Sequence, residues 1–392
     1  MLQEGKKQPI FSISKNSKSF KMIDMNDIIN LDDIIVNSAV SALGIQKADG
    51  SFPPGHNGPW NNDDTPVRVT SHWGILLLEA FSLTKNSQFK EAAENAYSFL
   101  GSKKARPNDY SFHCINSNDL FLQSNGLIGQ AWVLESLISA YIHFKDTFYL
   151  DLAEDLILKH NFDSDLCLWN VLGLNGEILK IHKTFNQQLW FSVNAYKLTK
   201  LRQNSQIETK TKKFFERIPT IISADKFINM LIDEKVFRDS LAIIKHTGKK
   251  ITKLIKDKYM KKISRGYLSF SLFALADLYL IYENRELWNN NKLKSIIFNS
   301  VKFLDEKIYY DDNNKFGFQY NPIGFEVAFI KENFSDYLAE YKGKEVYEWI
   351  FKQLNKYFNF NKMMMMENTI DQNTLASRIY ELTRLQDRVL AK

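Results

Sequence analysis

Apolar residues repeat at helical spacing along almost the whole chain, in two patterns that alternate. In the first pattern a segment is apolar on nearly every side, as in Leu127–Phe144 and Phe185–Leu198. In the second, only one stripe is apolar, as in residues 86–100, where Phe89 and Ala93 belong to the stripe. A helix that is apolar all round must be buried on most sides, whereas a one-sided helix covers a core. The alternation therefore predicts inner helices wrapped by outer helices.

Six segments of each kind are present, and the first outer segment is left to pair with the last inner segment. The inner segments are Trp73–Leu83, Leu127–Phe144, Phe185–Leu198, Tyr267–Tyr282, Ile323–Ile330 and Leu375–Leu385. The outer segments lie near residues 27–45, 86–100, 147–160, 205–231, 287–307 and 344–360. We therefore predict an all-α fold, an (α/α)6 toroid with six inner and six outer helices. An open solenoid would require a repeat of fixed length, which the sequence lacks.

The 392 residues, 44% of them hydrophobic, suffice for one large core. We expect an N-terminal extension over residues 1–24 and a single toroid domain over residues 25–392. The chain has no run of apolar residues long enough to span a membrane, and its first residues lack the apolar stretch of a signal peptide. A cytoplasmic location is therefore expected.

Every link from an outer segment to the next inner segment is long, and every link in the other direction is short. The long links are residues 46–69, 102–124, 162–183, 233–265, 308–321 and 361–373. Capping signals such as Thr70, Ser124, Thr184, Ser264, Asn321 and Thr374 stand where these links meet the inner segments. The links should meet at one end of the ring, where helix N-termini favour an anionic ligand. Within the link 162–183, two short apolar runs flank Asn175-Gly176 and predict a small β-hairpin at this end.

Charge is distributed unevenly. Residues 197–265 contain 19 Lys and Arg against 7 Asp and Glu, while the whole chain has a net charge of +6. This basic segment is either a solvated helical face or a docking site for an anionic partner such as a membrane surface. The sequence contains no recognisable nucleic-acid-binding module. The two cysteines, Cys114 and Cys167, form no metal-binding motif, so neither a metal nor a cofactor is expected.

The link from Ala48 to Trp73, ADGSFPPGHNGPWNNDDTPVRVTSHW, differs from the rest of the chain in composition. Its Gly and Pro residues indicate turns. His56 and Trp60 lie in the loop and are candidates for substrate contact, and His72 at the start of the inner segment is a candidate for proton transfer.

Two further links contribute candidates. Tyr110 and His113 precede Asn125, and His113 could transfer protons while Tyr110 and Asn125 bind sugar; Gln130 is either a sugar ligand or a satisfied buried amide. The predicted hairpin should project Trp169 and His182 toward the site, with His182 as a proton-transfer group.

The third inner segment opens with Asn186, Gln187 and Trp190. An indole face beside amides is a common way to hold a pyranose ring, so these three residues are expected to bind sugar.

The stretch SRGYLSF places Arg265 and Tyr267 at the start of the fourth inner segment. Arg265 could neutralise a substrate carboxylate, and Tyr267 could act as acid or base. Glu326 lies in an apolar run and must be paired or shifted in pKa. Its expected role is structural, as an ion-pair partner of an arginine such as Arg378.

The motifs DGSFPPGHNGPW, DTPVRVTSHW, NGLIGQAWVLES and TFNQQLWF resemble proteins of bacterial surface-polysaccharide gene clusters, which are similar to six-hairpin glycosidase-like proteins. The resemblance is clearest over residues 48–198 and returns at SRIYELTRL. It implies an (α/α)6 fold and a link to carbohydrate. Unsaturated glucuronyl hydrolases and acylglucosamine 2-epimerases resemble the chain in architecture. Toroidal alginate lyases carry an Asn-Asn-His motif that FNQQLW resembles, but Gln187 stands where their histidine would be.

These observations predict a carbohydrate-active enzyme that acts on an acidic sugar or oligosaccharide by acid/base chemistry. Hydrolysis, elimination and epimerisation stay open. The alternative is a non-catalytic glycan-binding or assembly protein. A pocket that holds two titratable groups favours catalysis, whereas aromatic and amide groups alone favour binding.

Overall fold

A computed structural model describes residues 28–222, 227–237 and 259–391. The principal helices in these ranges are, in chain order, α1 (Leu31–Leu43), α2 (Val67–Thr84), α3 (Ser87–Leu100), α4 (Gly126–Phe144), α5 (Phe148–Lys159), α6 (Phe185–Leu201), α7 (Ser205–Ile221), α8 (Leu268–Ile281), α9 (Asn291–Phe303), α10 (Ile323–Asn333), α11 (Val346–Tyr357) and α12 (Gln372–Ser377). A 3-10 helix, Arg378–Arg384, continues α12. Short helical turns occupy Gly58–Trp60, Leu120–Gln123, Glu234–Phe237, Arg285–Trp288 and Ser335–Leu338, and a π-helical turn spans Leu304–Ile308.

The even-numbered helices form a closed inner ring. Helix α2 packs on α4, α4 on α6, α6 on α8 and α8 on α10, and the 3-10 helix Arg378–Arg384 contacts both α10 and α2. The odd-numbered helices pack outside, with α1 against α2 and against Arg378–Arg384. The predicted (α/α)6 toroid, closed between its first outer and last inner helix, is therefore confirmed.

Apolar composition explains this layering. Helix α8 buries every residue from Leu268 to Leu278, because it is apolar on all sides and neighbours surround it. Helix α11 instead buries a stripe that includes Trp349, Ile350 and Leu354 and leaves its other face to solvent. One extended cluster of buried side chains joins both layers.

Short strands connect the loops. They are β1 (Ile29–Asn30), β2 (Phe162–Asp163), β3 (Leu168–Leu172), β4 (Ile178–Ile181), β5 (Phe358–Asn359), β6 (Met364–Met365) and β7 (Val389–Leu390). Antiparallel pairing of β1 with β7 joins the two ends of the described chain, and β5 pairs with β6. The expected hairpin is present as β3 and β4, with β2 added on the far side of β3.

Several inner helices begin at residues other than the expected caps. Helix α2 begins at Val67, so Thr70 lies inside it. At α12 the cap is Asp371, whose carboxylate accepts from the Thr374 backbone N–H. Pro66 before α2 and Asp371 before α12 mark the starts of these two helices in the sequence, because a cap stands before the first helical turn.

Candidate functional site at the upper end of the ring

The N-terminal ends of the inner helices surround a cavity of about 310 Å³. We call this end of the ring the upper end and this cavity the upper cavity. Its lining comprises Asn57, Trp60, Asn62, Phe121, Leu122, Asn125, Gly126, Ile128, Trp132, His182, Thr184, Asn186, Gln187, Met230, Tyr267, Phe270, Tyr320, Asn321 and Arg378. Aromatic rings and amides dominate this set, and the volume suits a small ligand.

A chain of hydrogen bonds runs along one wall of the upper cavity. The indole N–H of Trp60 donates to the Tyr267 hydroxyl at 2.8 Å. Tyr267 also hydrogen bonds with Tyr320, whose hydroxyl donates to Asn57 Oδ1 at 2.6 Å. Burial and the neighbouring Tyr320 hold the pKa of Tyr267 well above its usual range. Tyr267 is therefore a neutral phenol at physiological pH.

Arg68 supports this wall from behind. Its Nη1 donates to Asn57 Oδ1 at 2.7 Å, and its Nη2 donates to Asp64 at 2.5 Å and to Thr374 Oγ1 at 2.8 Å. Arg68 and Asp64 are both buried. A buried ion pair of this kind holds its neighbours in one arrangement, and breaking it leaves an uncompensated charge.

A second buried arginine, Arg378, reaches the cavity floor. Its Nη2 donates to Glu326 at 2.9 Å and its Nε donates to Glu381 at 2.6 Å, so two carboxylates share one guanidinium. Burial raises the pKa of both carboxyl groups, that of Glu381 to about 8. The structural pairing of Glu326 with Arg378 that its buried position predicts is confirmed. With a proton on Glu381, the cluster has no net charge.

His182 follows strand β4 and stands at the opposite wall. Its Nδ1 accepts from the Thr184 backbone N–H at 3.3 Å, which places the ring proton on Nε2. Its ring stacks on Phe121 with centroids 5.2 Å apart. Burial and the charge of Lys180 lower the pKa of His182 to about 4, so the ring is neutral and presents an N–H donor.

Gln187 lines the cavity and also accepts hydrogen bonds from backbone N–H groups. Its Oε1 accepts from the backbone N–H groups of Leu127 and Ile128 at 3.0 and 3.3 Å, and so caps helix α4. This orientation turns the amide NH₂ of Gln187 away from the helix end.

Other donors of the lining are unused. Asn186 is buried, and its amide makes no hydrogen bond with the described residues. The Trp132 indole N–H is buried without an acceptor in the described ranges. Asn125 has a left-handed backbone and makes no side-chain cap for α4. None of the described residues that line the cavity is Asp or Glu, so this lining contains no carboxylate.

Six of the predicted site residues meet in the upper cavity: Trp60, Asn125, His182, Asn186, Gln187 and Tyr267. His56 lies beside it on the mouth loop. There its ring Nε2 bonds the Ile370 carbonyl at 2.7 Å, and its backbone N–H donates to Asp371.

Three predicted residues lie in the core instead. His72 is fully buried; its ring stacks on Tyr380, and its Nδ1 bonds Ser377 at 3.1 Å. Trp190 stacks on Phe270 with no exposed surface. Trp169 points inward from β3, and its indole N–H donates to Ser192 at 2.9 Å. The structure therefore places the proton-transfer candidate His72 and the sugar-binding candidates Trp169 and Trp190 in the packed core, because their positions on the helix or strand turn them away from the upper cavity.

Three others lie on surfaces away from the upper cavity. His113 lines a shallow recess with Asn116, and its Nε2 bonds the Ile115 carbonyl. Tyr110 packs against Gly176 of the hairpin turn and Arg265 lies over the Phe303 ring, 5.7 Å from its centroid. Gln130 is a satisfied buried amide that bonds the backbone of Phe112.

Sequence reasoning missed Asn57, Tyr320 and Arg378 as cavity residues, and Arg68 as their support. Asn57 gives a local signal, because a left-handed asparagine before Gly58 is typical of a tight turn. The contacts of Tyr320 and Arg378 join positions that are far apart in the sequence, so hydrophobic periodicity does not predict them.

Some predictions concern residues outside the described ranges. The expected extension over residues 1–24 does, as do residues 223–226 and 238–258 of the basic segment. None of the helices in the described ranges is both long and apolar enough to span a membrane. In the same ranges no group of three or more His, Cys, Asp or Glu side chains is arranged to hold a metal ion.

Comparison with known proteins gives a close sequence relative. The chain is 34% identical over 373 residues to archaeal glycosylation protein Q of Haloferax volcanii, with 91% of this chain and 98% of that protein covered. No family model matches the chain. The relative is archaeal, so the bacterial setting that the resemblance implied finds no support.

Solved structures share the fold at low sequence identity. Cellobiose 2-epimerase from Bacillus thermoamylovorans matches with a TM-score of 0.62 and 12% identity, over 90% of this chain and 98% of that one. An α-1,6-mannanase from Salegentibacter matches with a TM-score of 0.54 and 11% identity, over 91% and 98%. An unsaturated glucuronyl hydrolase specific for heparin matches with a TM-score of 0.54 and 12% identity, over 90% and 95%. These are six-hairpin glycosidase-like toroids, as the sequence motifs indicated.

Proposed function

The chain belongs to the family of archaeal glycosylation protein Q, and on that premise we propose that it is an enzyme of glycan assembly that acts on an acidic sugar in the upper cavity. The observation that carries this proposal is the set of converging donors. His182 offers an N–H, Gln187 and Asn186 offer amides, and Tyr267 is a neutral phenol in the same cavity. Such a set suits a carboxylate and the oxyanion that forms beside it during proton transfer.

Each group has a definite role in this proposal. The amides of Asn186 and Gln187 bind the sugar carboxylate, and the His182 N–H stabilises negative charge as it develops. Tyr267 acts as the general acid, since its raised pKa keeps the proton on the hydroxyl until a stronger base appears. Trp60 and Phe270 provide the apolar surfaces for the sugar ring.

Epimerisation and elimination fit this cavity better than hydrolysis does. Glycoside hydrolysis commonly uses two carboxyl groups that flank the scissile bond. The described residues that line the upper cavity include no Asp or Glu. Both favoured reactions instead build negative charge beside a sugar carboxylate, where donors are the useful groups. In this proposal the proton that leaves the sugar carbon passes to solvent, because Tyr267 is protonated and the His182 Nδ1 lone pair is already used.

The test uses uronate-containing oligosaccharides and their neutral counterparts in deuterated water. Deuterium uptake with changed configuration identifies epimerisation, ultraviolet absorbance of a new carbon–carbon double bond identifies elimination, and new reducing ends alone identify hydrolysis. Tyr267→Phe and His182→Gln should each lower kcat by about 10²-fold or more. His113→Gln is the matched control, a half-buried histidine outside the cavity, and should keep full activity. New reducing ends without deuterium uptake or a double bond would overturn the reaction assignment.

A non-catalytic glycan-binding role is the second candidate, and one observation favours it. The lone pair of His182 Nδ1 is used by the Thr184 backbone, and Tyr267 is protonated, so neither presents a ready base. Saturable binding of the uronate ligands with none of the three readouts would support this role. Weaker binding by His182→Gln would then assign the cavity as a recognition site.

A further inference from the structure

The inner helices end opposite the upper cavity, at what we call the lower end of the ring. Beside the last turn of helix α8 lies a groove of about 1000 Å³, which we call the lower groove. Its walls are the last turn of α8, helix α9, and the helical turns Arg285–Trp288 and Ser335–Leu338. None of the described residues lines both the lower groove and the upper cavity, so the groove is a separate candidate site.

Aromatic side chains form most of the apolar lining of the lower groove. They are Tyr279, Tyr282, Trp288, Phe298 and Tyr337. Tyr279, Phe298 and Tyr337 are half-buried, so part of each side chain is accessible. Tyr279 packs edge-on against Trp288 and Tyr337, with ring centroids 5.0 and 5.6 Å apart. Accessible aromatic surface of this kind packs against the C–H groups of a pyranose ring.

Hydrogen bonds hold the aromatic side chains in place. The indole N–H of Trp288 donates to the Tyr282 carbonyl at 2.7 Å, and the Tyr337 hydroxyl donates to the Trp288 carbonyl at 2.8 Å. Asn284 Nδ2 donates to the Tyr282 hydroxyl at 3.1 Å. A wall that is ordered before binding lowers the entropy cost that a ligand must overcome.

Charged side chains around the aromatic ones balance each other. Arg285 and Lys294 contribute two positive charges to the lining, and Glu283 and Asp336 contribute two negative charges. Arg285, Glu283 and Asp336 are exposed and form no ion pair with the described residues. An anion would meet both carboxylates, and a cation would meet both cations. A hydroxyl group instead suits both kinds of partner, because it donates to a carboxylate and accepts from a guanidinium.

We propose that the lower groove binds a neutral oligosaccharide, whose rings pack on Tyr279, Phe298 and Tyr337. Its hydroxyls donate to Asp336 and accept from Arg285. The volume of about 1000 Å³ admits more than one sugar unit, whereas the upper cavity has about 310 Å³. The two sites also differ in charge, because the described lining of the upper cavity contains no carboxylate. The proposal does not depend on the reaction in the upper cavity, since the two sites share no described residue.

The test is binding of three neutral trisaccharides, cellotriose, maltotriose and isomaltotriose, followed by the ring NMR signals of labelled tyrosines. The signals of Tyr279 and Tyr337 should shift saturably with at least one of them, and the signal of Tyr110 should not. A β-1,4-linked glucuronate trimer and a glucosamine trimer should bind the groove about threefold more weakly or worse, because each meets like charges. Equal or tighter binding of either charged trimer at these tyrosines would overturn the proposal. So would the absence of a shift with all three neutral trisaccharides.

Variants of exposed side chains locate the site. Arg285→Ala and Asp336→Ala each remove a hydrogen-bonding group from the groove, and should weaken binding of the neutral trisaccharide about three- to tenfold. Arg265→Ala is the matched control, because Arg265 is exposed and lies outside the groove, and should leave binding unchanged. Unaltered binding by both groove variants would contradict the proposal.

A variant of the upper cavity separates the two sites. Tyr267→Phe should leave the shifts of Tyr279 and Tyr337 with the neutral trisaccharide unchanged, even if it abolishes turnover of acidic sugars. Loss of these shifts in Tyr267→Phe would show that the trisaccharide binds through the upper cavity, and would overturn a separate lower site.

Discussion

The two ends of the ring are built from the same inner helices, yet their ion pairs and other polar groups are placed differently. At the upper end, ion pairs such as Arg68 with Asp64 lie behind the cavity wall, and unpaired donors face the cavity. At the lower end, ion pairs such as Lys197 with Asp277 lie between the inner helices themselves. The 3-10 helix Arg378–Arg384 even supplies one arginine to each end.

The difference between the two ends follows from the lengths of the links that enter them. Long links enter the upper end and bring loop residues such as Asn57, Trp60 and His182 over the helix N-termini. The links at the lower end are short, so the helices themselves must complete that surface. Loops placed on a rigid scaffold commonly carry function, and here they place amide, aromatic and imidazole side chains at the upper cavity.

The largest expected effect compares the buried arginines of the two ends. Arg68→Met leaves Asp64 charged and buried, and should lower the free energy of unfolding by about 3–5 kcal/mol. Arg384→Met should cost less, because Asp277 keeps Lys197 as a partner and Glu135 keeps the Tyr380 hydroxyl. Urea unfolding of both variants measures the difference. An equal or greater loss for Arg384→Met would show that the two ends do not differ in this way.

The pH dependence of stability tests the carboxylates around Arg378. Burial raises the pKa of Glu381 to about 8 in the folded protein, from an ordinary value of 4.5 in the unfolded chain. The folded state therefore binds the extra proton between these values, and its stabilising contribution is lost as pH rises from about 4.5 to 8. Glu381→Gln stays neutral, so its Tm relative to the unmodified protein should rise between pH 5 and pH 8.5. Parallel Tm curves would contradict this account.

A smaller effect is expected for the cap that Gln187 provides. Gln187→Ala removes the acceptor for the Leu127 and Ile128 backbone N–H groups, and should cost about 1 kcal/mol of unfolding free energy. Hydrogen exchange of the Leu127 amide should accelerate. Gln88→Ala, on the exposed side of helix α3, is the control and should change neither quantity.

The smallest effect concerns Tyr110, a predicted sugar ligand that lies outside the upper cavity. Tyr110→Ala loses packing on the hairpin turn and on Lys159, whose Nζ lies 5.3 Å from its ring centroid. We expect a loss of about 0.5–1 kcal/mol in unfolding free energy. Binding of uronate ligands, measured by calorimetry, should be unchanged. Weakened binding would extend the upper site to the hairpin turn.

Hydrophobic periodicity was sufficient to predict the fold, because the apolar pattern of each helix shows whether it is buried on all sides or on one. Helix α8 is apolar on every side and is inner, whereas α11 has one apolar stripe and is outer. The count of both kinds predicted the closed ring. Loop lengths then predicted the end of the ring where the upper cavity lies, since a long link adds residues at one end only.

The same reasoning was less effective for individual site residues. His72 and Trp190 belong to inner helices near the predicted site, but their positions on the helical turn direct them into the core. A chemical type and a place in the sequence do not give the direction of a side chain. Trp60 and Tyr267 were both predicted, yet their mutual hydrogen bond across 207 positions was not.

By itself, then, the sequence determined the helix pattern, the closed toroid and the end of the ring that holds the upper cavity, because hydrophobic periodicity and link length are local properties. Only the tertiary structure decided which donors converge and which arginines are already paired. Those features depend on contacts between residues far apart in the chain, such as Arg68 with Thr374 and Arg378 with Glu326. Ring closure creates these contacts, and no segment of the sequence contains them.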